Sequence, residues 1–267
     1  MSDVVVLCYH AVSPDWSAQL SVTPERFERQ LRELVERGFR GATFTEAATS
    51  PPHPRTLAVT FDDGMRSVLE RARPVLARLA LPATVFVPTD LVGSGGPMSW
   101  RGIEHWLGGE HEGELVPLTW QELSDLRDEG WEIGSHTRTH PRLVELGDDE
   151  LAAELRGSRE RLEAELGGPC TSLAYPFGEA DDRVIRAAGE AGYRAAGGLP
   201  TSFDRATALS WPRTGVWHSD GPVSFRVKVS RPVRSLQRSS VFRLVDRPRR
   251  ALKRLLHPDR MRRAWLD

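Results

Sequence analysis

The sequence LAVTFDDG, residues 57–64, is the most informative in the chain, because a short apolar and β-branched run ends abruptly in two carboxylates and a glycine. Such a run is typical of a buried strand. We expect that strand to deliver Asp62 and Asp63 to its carboxyl end. An Asp-Asp-Gly sequence on its own is also typical of a plain turn, so a second motif has to support the interpretation.

The second motif is WEIGSHTRTH, residues 131–140, which places His136 at the exit of another short predicted strand. Its spacing puts His136 and His140 on one side of a helical turn, or of a tight loop that ends at Pro141. One aspartate and two histidines suit Zn²⁺, with Co²⁺ or Fe²⁺ as alternatives, and three protein ligands leave a position open for water. One aspartate of the pair is then a candidate ligand and the other a candidate base.

The rest of the chain alternates predicted strands with predicted helices. Thr23 and Pro24 open one helix, Thr119 and Glu122 form a capping box before another, and residues 148–166 form a longer one. Further strands are expected at residues 4–7, 83–87 and 172–175. This alternation is typical of an α/β protein with a mainly parallel barrel, whose functional site lies at the carboxyl ends of the strands.

Three motifs together resemble the polysaccharide deacetylases, the NodB-homology group of carbohydrate esterases. They are TFDDG at 60–64, SHTRTH at 135–140 and YPFG at 175–178, and the resemblance runs from about Val4 to about Val216. The resemblance implies a distorted seven-stranded (β/α) barrel. It also implies that Asp62 is the general base and that Asp63, His136 and His140 hold the metal. Members of the family remove N-acetyl, and sometimes O-acetyl or formamide-like, groups from sugars.

The third motif departs from the commonest family pattern, in which an Arg shortly before the Pro-aromatic pair orients the catalytic aspartate. Residues 172–174 are Ser-Leu-Ala, so that guanidinium is missing here. Arg213 is the candidate replacement, with an ordinary surface arginine as the alternative. Tyr175, Pro176 and Phe177 remain the candidate substrate-binding or oxyanion segment, because a main-chain N–H can stabilise an oxyanion whatever the side chain.

The general acid is the second departure. In the segment where the resemblance ends, residues 199–222, the late Leu-x-His of the family is absent and His218 is the only histidine. The early Tyr9-His10 pair instead resembles a branch that includes poly-N-acetylglucosamine deacetylases, in which the motif order is permuted. His10 follows an apolar predicted strand and is therefore the expected general acid, with His218 as the alternative.

Composition indicates an ordinary soluble globular protein: 267 residues, 39% hydrophobic and 27% charged. The chain is long enough for one barrel-sized domain. No secretory signal and no membrane-spanning run is visible, and Cys8 and Cys170 have no metal-binding spacing. We therefore expect a cytoplasmic protein in which Cys8 is a buried free thiol.

The net charge of −1 conceals an asymmetry. Residues 226–267 carry fourteen Lys/Arg against three Asp/Glu, a formal +11, whereas the preceding 225 residues carry −12. We expect a catalytic domain over 1–222 and a basic tail over 223–267 that is partly helical or disordered. The mixture of arginines and leucines at 241–256 suits an anionic membrane surface, which would place the protein on the inner face of the membrane. A solvated tail is the alternative, and no nucleic acid is expected.

These observations favour a metal-dependent carbohydrate deacetylase, a hydrolase of C–N bonds other than peptide bonds, acting on an N-acetylated saccharide or glycoconjugate. Two alternatives stay open. One is a metal-dependent amidase acting on a small non-sugar amide. The other is an inactive carbohydrate-binding relative, which the missing Arg and the missing late His suggest.

Overall fold

A computed structural model describes residues 3–203 and 205–239 of the chain. Its strands are β1 (Asp3–Tyr9), β2 (Ala11–Val12), β3 (Ser21–Val22), β4 (Arg40–Ala42), β5 (Arg55–Phe61), β6 (Ala83–Val87), β7 (Glu132–Ser135), β8 (Ser172–Ala174), β9 (Ala195–Gly198), β10 (Trp211–Pro212) and β11 (Thr214–Gly215). Its α-helices are α1 (Pro24–Glu36), α2 (Phe44–Thr49), α3 (Arg73–Arg78), α4 (Trp120–Asp128), α5 (Asp148–Leu166), α6 (Asp182–Glu190), α7 (Pro222–Lys228) and α8 (Arg231–Gln237).

The strands form a parallel sheet that is nearly closed into a barrel. Eight strands follow one another in the order β10-β9-β8-β7-β6-β5-β1-β11, and the short β4 also pairs with β5. β10 pairs with β9 and β11 pairs with β1, although only Arg213 separates β10 from β11. One segment, 211–215, therefore joins the two edges of the sheet, so that seven segments of chain surround the barrel. The predicted mainly parallel α/β barrel is confirmed.

Local sequence explains where the main helices begin. Thr23 accepts a hydrogen bond from the Arg26 N–H at the start of α1, and Pro24 occupies the first helical position. The predicted capping box before α4 is present, with Thr119 and Glu122 each satisfying a backbone N–H of the other. The predicted helix over 148–166 is observed with those bounds as α5.

Alternation along the strands separates two apolar clusters. On β1, Val5 and Leu7 belong to the large cluster formed with the surrounding helices, whereas Val4 and Val6 belong to a smaller cluster with Phe86 and the residues of α2. The second set faces the barrel interior, because successive side chains of a strand point to opposite sides of the sheet. By the same alternation, Cys8 and His10 follow Val6 on the inward side of the chain.

The carboxyl ends of the parallel strands share one rim of the barrel. β1 and β5 pair in register over their full length, with Tyr9 opposite Phe61. The residues that follow these two strands, His10 and Asp62, are therefore neighbours. The fold thus brings together residues that are about fifty positions apart in the sequence.

The two C-terminal helices pack on the barrel. Phe225 of α7 is buried, and the Arg234 side chain of α8 donates to the Val4 carbonyl and to the Asp3 carboxylate. The predicted boundary at 222/223 therefore falls within the first turn of a helix that contacts the barrel. The segment 241–256, interpreted above as membrane-binding, lies outside the described residues. Among the residues that are described, no helix has the length and apolar character needed to cross a bilayer.

Candidate metal centre and catalytic pocket

A pocket at the carboxyl rim gathers most of the side chains that the motifs single out. It is lined by Cys8, His10, Leu20, Asp62, Asp63, Trp100, Arg101, Gly102, Ile103, His136, His140, Arg142, Phe177, Gly178, Leu199, Arg213 and Trp217. These residues lie at or after the carboxyl ends of β1, β5, β7, β8 and β9, at the junction of β10 with β11, or in neighbouring loops. Neither Tyr175 nor His218 is among them.

Asp63, His136 and His140 converge with a geometry that fits a divalent cation. Each residue offers a ligand atom within 4.8 Å of those of the other two, and all three residues are buried. Asp63 Oδ1 lies 3.5 Å from Nε2 of each histidine. A tetrahedral zinc with bonds of about 2.1 Å separates two such ligand atoms by about 3.4 Å. Asp63 Oδ1 is also buried and makes no hydrogen bond with any described residue, and a bound cation would supply the missing partner.

The two histidines are held differently. His136 Nδ1 lies 2.8 Å from the Ala174 carbonyl oxygen, an acceptor that favours the tautomer with a free Nε2 lone pair. His140 follows a tight loop and not a helical turn, since Thr137 has a positive φ of 69° and His140 one of 62°. Glu154 of α5 fixes this loop by accepting from the N–H groups of Arg138 and Thr139. Both Nε2 atoms thereby face the Asp63 carboxylate.

Asp62 makes a buried, bidentate ion pair with Arg213. The two guanidinium nitrogens donate to the two carboxylate oxygens at 2.6 and 2.7 Å. Only 4% of Asp62 and 1% of Arg213 is exposed. The structure thus places Arg213 on the carboxylate for which the usual arginine of the third motif is missing. That Arg213 orients a catalytic Asp62 remains a prediction.

The barrel wall makes room for this arginine. Arg213 sits between β10 and β11, with its N–H bonded to the Gly198 carbonyl. A Cβ at Gly197 would lie 2.8 Å from Arg213 Cδ, so only glycine leaves the space that the side chain needs. The Arg213 guanidinium carbon lies 5.3 Å from the centre of the Phe86 ring, which packs against it. The residue that joins the barrel edges is therefore also the one that pairs with Asp62.

The two aspartates have opposite electrostatic environments. Burial raises the pKa of Asp62, but the charge and hydrogen bonds of Arg213 outweigh burial, so the pKa of Asp62 is lowered below its ordinary value. Burial and the neighbouring Asp62 charge instead raise the pKa of Asp63 well above its ordinary value. A carboxylate without a compensating arginine needs a cation to stay ionised. This contrast fits Asp63 as the ligand and Asp62 as the free base.

The segment 175–178 offers one free main-chain donor. The Tyr175 N–H donates to the Gly197 carbonyl, Pro176 has no N–H, and the Gly178 N–H donates to the Tyr175 carbonyl. The Phe177 N–H makes no hydrogen bond within the described part of the chain. Phe177 lines the pocket with a positive φ of 59°, and its ring lies 4.8 Å from that of His140.

Tyr175 itself turns away from the pocket. Its hydroxyl donates to the Leu209 carbonyl and its ring is fully buried. Any contribution of Tyr175 to substrate binding would therefore have to come through the backbone. Phe177 is the member of the predicted segment with both a pocket position and an available donor.

His10, and not His218, lies in the pocket. Its ring stacks on Trp217 with a centroid distance of 5.6 Å, and burial lowers its pKa to about 4. The His218 backbone is engaged elsewhere, since its carbonyl accepts from the Arg26 side chain. The geometry favours His10 among the two candidate acids, while the assignment of the role stays a prediction.

Sequence reasoning missed two contacts at the pocket. Cys8 is a buried free thiol, as predicted, but its Sγ also lies 3.4 Å from Asp62 Oδ2. The signal was available, because Cys8 lies near the end of β1, two residues before His10, and alternation places both side chains on the same side. Arg142 lies over the Phe177 ring at 4.3 Å and pairs with Glu179. Nothing in the local pattern around Arg142 indicates that contact.

Backbone strain is concentrated at this rim. Of the five described non-glycine residues with positive φ, four are Asp63, Thr137, His140 and Phe177. Each such conformation costs of order 1–3 kcal/mol and persists only where the surroundings enforce it. The strain coincides with three pocket-lining residues and the loop that joins the two histidines, as is typical of functional sites.

Comparison with known proteins agrees with this fold and these motifs. The family model described as polysaccharide deacetylase matches residues 49–196, more than half of the chain. The chain belongs to the polysaccharide deacetylase family. Among solved structures, a polysaccharide deacetylase from Bacillus cereus has a TM-score of 0.66 at 27% identity, covering 85% of this chain and 69% of that one. IcaB from Ammonifex degensii has a TM-score of 0.67 at 25% identity, covering 85% and 96%. The predicted deacetylase-type barrel is confirmed.

Two curated relatives give the range of sequence similarity. YxkH of Bacillus subtilis (strain 168) is 26% identical over 194 residues, 71% of this chain. The poly-β-1,6-N-acetyl-D-glucosamine N-deacetylase of Staphylococcus aureus (strain MSSA476) is 24% identical over 185 residues, 63% of this chain. The matched regions span 62% and 59% of the length of these relatives. What the relatives act on as whole proteins is therefore a matter of proposal for this chain.

The His136→Ala/His140→Ala double variant is expected to lose its divalent metal, because Asp63 alone cannot hold it. Zinc affinity should fall by more than about 100-fold, measured by equilibrium dialysis and elemental analysis. The control is the His105→Ala/His111→Ala double variant, since neither of these histidines lines the pocket. Near-stoichiometric zinc in the triad variant would refute the assignment.

Proposed function

We propose that this protein is a metal-dependent hydrolase that removes N-acetyl groups from an amino-sugar-containing saccharide or glycoconjugate. The observation that carries the proposal is the buried Asp62–Arg213 pair beside the Asp63, His136 and His140 triad. A divalent cation on this triad would polarise the scissile carbonyl and acidify a water molecule, lowering its pKa to roughly 7. Similarity to the poly-β-1,6-N-acetyl-D-glucosamine N-deacetylase of Staphylococcus aureus supports a sugar amide as the substrate class.

Asp62 takes the proton of the attacking water in this proposal. Its ion pair with Arg213 keeps it ionised and fixes both carboxylate oxygens. The same pair makes Asp62 a weak base, which could not deprotonate ordinary water with a pKa of about 15.7. The weakness of the base is thus a reason in the chain itself for expecting metal dependence.

Phe177 and His10 complete the proposed reaction. The free Phe177 N–H stabilises the negative charge that develops on the carbonyl oxygen. His10 gives a proton to the departing amine. Because its pKa is lowered to about 4, His10 is neutral at pH 7 and must first receive a proton released during the attack. Asp62 lies within 4.8 Å of His10 and is a suitable source.

The two alternatives are less well supported. An inactive carbohydrate-binding relative was suggested by a missing arginine, but Arg213 pairs with Asp62. An amidase for a small non-sugar amide would use the same chemistry. The pocket lining includes Trp100 and Trp217, both half-buried, and indole rings suit stacking against a sugar. This aromatic lining favours the saccharide.

Acetate release from N-acetylglucosamine oligomers by the zinc-loaded protein tests the function, with small formamides and acetamides as competing substrates. Asp62→Asn is expected to keep its zinc and lose on the order of 10²–10⁴ in turnover, because it keeps the shape and loses the base. If Asp62→Asn lost the zinc and Asp63→Asn retained it, the roles of the two aspartates would be reversed.

His10→Ala is expected to impair hydrolysis of an N-acetyl sugar far more than that of an activated aryl acetate. The reason is that an amine is a poor leaving group and needs protonation, whereas an aryl oxide does not. Turnover of both substrates, with His218→Ala as the control, checks this. Equal losses on both substrates would make His10 a structural residue, and a His218→Ala variant inactive only on the amide would move the role there.

We also propose that the C-terminal helices and basic tail rest on an anionic membrane surface. The large hydrophobic side chains with the greatest exposure among the described residues are Val223 at 73%, Val227 at 54% and Leu236 at 44%, all on α7 and α8. Val223 and Val227 lie one turn apart on α7, where the +11 segment 226–267 begins. Apolar side chains beside dense positive charge suit an interface with anionic lipid.

Sedimentation with vesicles at low ionic strength tests the membrane contact. The full chain should bind vesicles containing phosphatidylglycerol, and added salt should weaken binding, since each basic residue contributes about 1 kcal/mol near such a surface. A chain ending at Ser239 keeps the packed helices and should bind less. Equal binding by both chains, or equal binding to uncharged phosphatidylcholine vesicles, would contradict the proposal.

A further inference from the structure

A second group of metal-ligating side chains lies beside the triad. Cys8, His10 and Asp62 each offer a ligand atom within 4.8 Å of those of the other two. All three line the pocket, and none belongs to the proposed zinc triad. Sulfur, imidazole and carboxylate are together a donor set for thiophilic and borderline cations.

The distance between Cys8 and Asp62 already suits a shared cation. Cys8 Sγ donates a hydrogen bond to Asp62 Oδ2 over 3.4 Å. A tetrahedral zinc with a bond of about 2.3 Å to sulfur and about 2.1 Å to oxygen separates the two atoms by about 3.6 Å. A cation that replaces the thiol proton therefore needs a movement of only a few tenths of an ångström.

His10 provides an available third donor. Its Nδ1 is buried and makes no hydrogen bond with any described residue. Burial lowers its pKa to about 4, so the imidazole is neutral and can bind a metal through its lone pair. Sulfur is a soft donor, so a thiophilic cation such as Cd²⁺ can displace the thiol proton of Cys8, whereas a hard cation such as Mg²⁺ prefers oxygen ligands.

Nearby positive charge determines which of the two groups binds a cation more tightly. Arg213 occupies both oxygens of Asp62, and Asp62 Oδ2 lies 4.0 Å from His136 Nε2 of the triad. A cation beside Cys8 would be close to the guanidinium and to a cation on the triad. Repulsion makes this second site the weaker of the two, so it fills after the triad and at higher metal concentration.

We propose that Cys8, His10 and Asp62 form a second, inhibitory site for thiophilic divalent cations, namely Cd²⁺ and excess Zn²⁺. Binding exchanges the Cys8 thiol proton, which leaves to solvent, for a metal–sulfur bond, with no change of oxidation state. The inhibition rests on the proposed function, because the cation ties up the proposed base and the proposed acid. The binding does not depend on that function.

Cadmium titration of the protein loaded with one equivalent of zinc tests the site. A thiolate-to-cadmium charge-transfer band in the ultraviolet should grow with a second equivalent, since the triad contains no sulfur. Cys8→Ser should lose this band and keep its triad zinc. Cys170→Ser is the matched control, because Cys170 is the other cysteine of the chain, is also buried, and lies outside the pocket. It should keep the band.

Excess zinc should inhibit acetate release by the wild-type protein and by Cys170→Ser, and Cys8→Ser should need at least about tenfold more zinc for the same fractional inhibition. His10→Ala provides a second variant, in which the band should remain but require more cadmium. A band that persists in Cys8→Ser, or no band in the wild type, would overturn the site. A band without inhibition would overturn the inhibitory role. A band in a protein that releases no acetate under any condition would leave the site standing and refute the deacetylase proposal.

Discussion

The ion pair between Asp62 and Arg213 is the interaction on which the rest of the site depends. Both groups are buried, and each forms two short hydrogen bonds with the other. Removing one partner of such a pair typically costs about 3–5 kcal/mol, because it leaves an uncompensated buried charge. The pair also separates the two adjacent carboxylates electrostatically. Arg213 stabilises the charge of Asp62, and Asp63 is left to be stabilised by a cation.

The same pair connects the fold to the chemistry. Arg213 lies where the chain passes from pairing with β9 to pairing with β1. The segment that closes the barrel therefore also positions the guanidinium. Gly197 and Phe86 shape the space that the side chain occupies. An arginine from the segment that joins the two edges of the sheet can therefore replace one that precedes the Pro-aromatic motif, since the carboxylate responds to the guanidinium and not to its sequence position.

Much of this arrangement could be predicted from sequence because it follows from short-range patterns. The β-branched run before Asp62 and the capping box at Thr119 each specify their local structure, and parallel strands then bring their carboxyl ends together. The four-residue spacing of His136 and His140 fits a helical turn and a tight loop equally well. The positive φ of Thr137 identifies a tight loop. Glu154 of α5 stabilises this loop by accepting a hydrogen bond from the Arg138 N–H, which lies 16 positions earlier in the sequence.

Other features depend on tertiary contacts that no local pattern encodes. The sequence around Arg213 fits a surface arginine as well as a partner of the catalytic aspartate. The contact with Asp62 arises only when the barrel closes. The packing of Arg142 over Phe177 and the orientation of Tyr175 away from the pocket are likewise set by neighbouring loops. Strand alternation predicts the side of β1 on which Cys8 lies. Its contact with Asp62 depends in addition on the register between β1 and β5.

Anomalous diffraction at the zinc absorption edge, from crystals grown with one equivalent of zinc, distinguishes the roles of the two aspartates. We expect one strong peak bonded to Asp63, His136 and His140, with both Asp62 oxygens still paired to Arg213. A peak bonded to Asp62, or an Arg213 side chain turned away from that carboxylate, would contradict it.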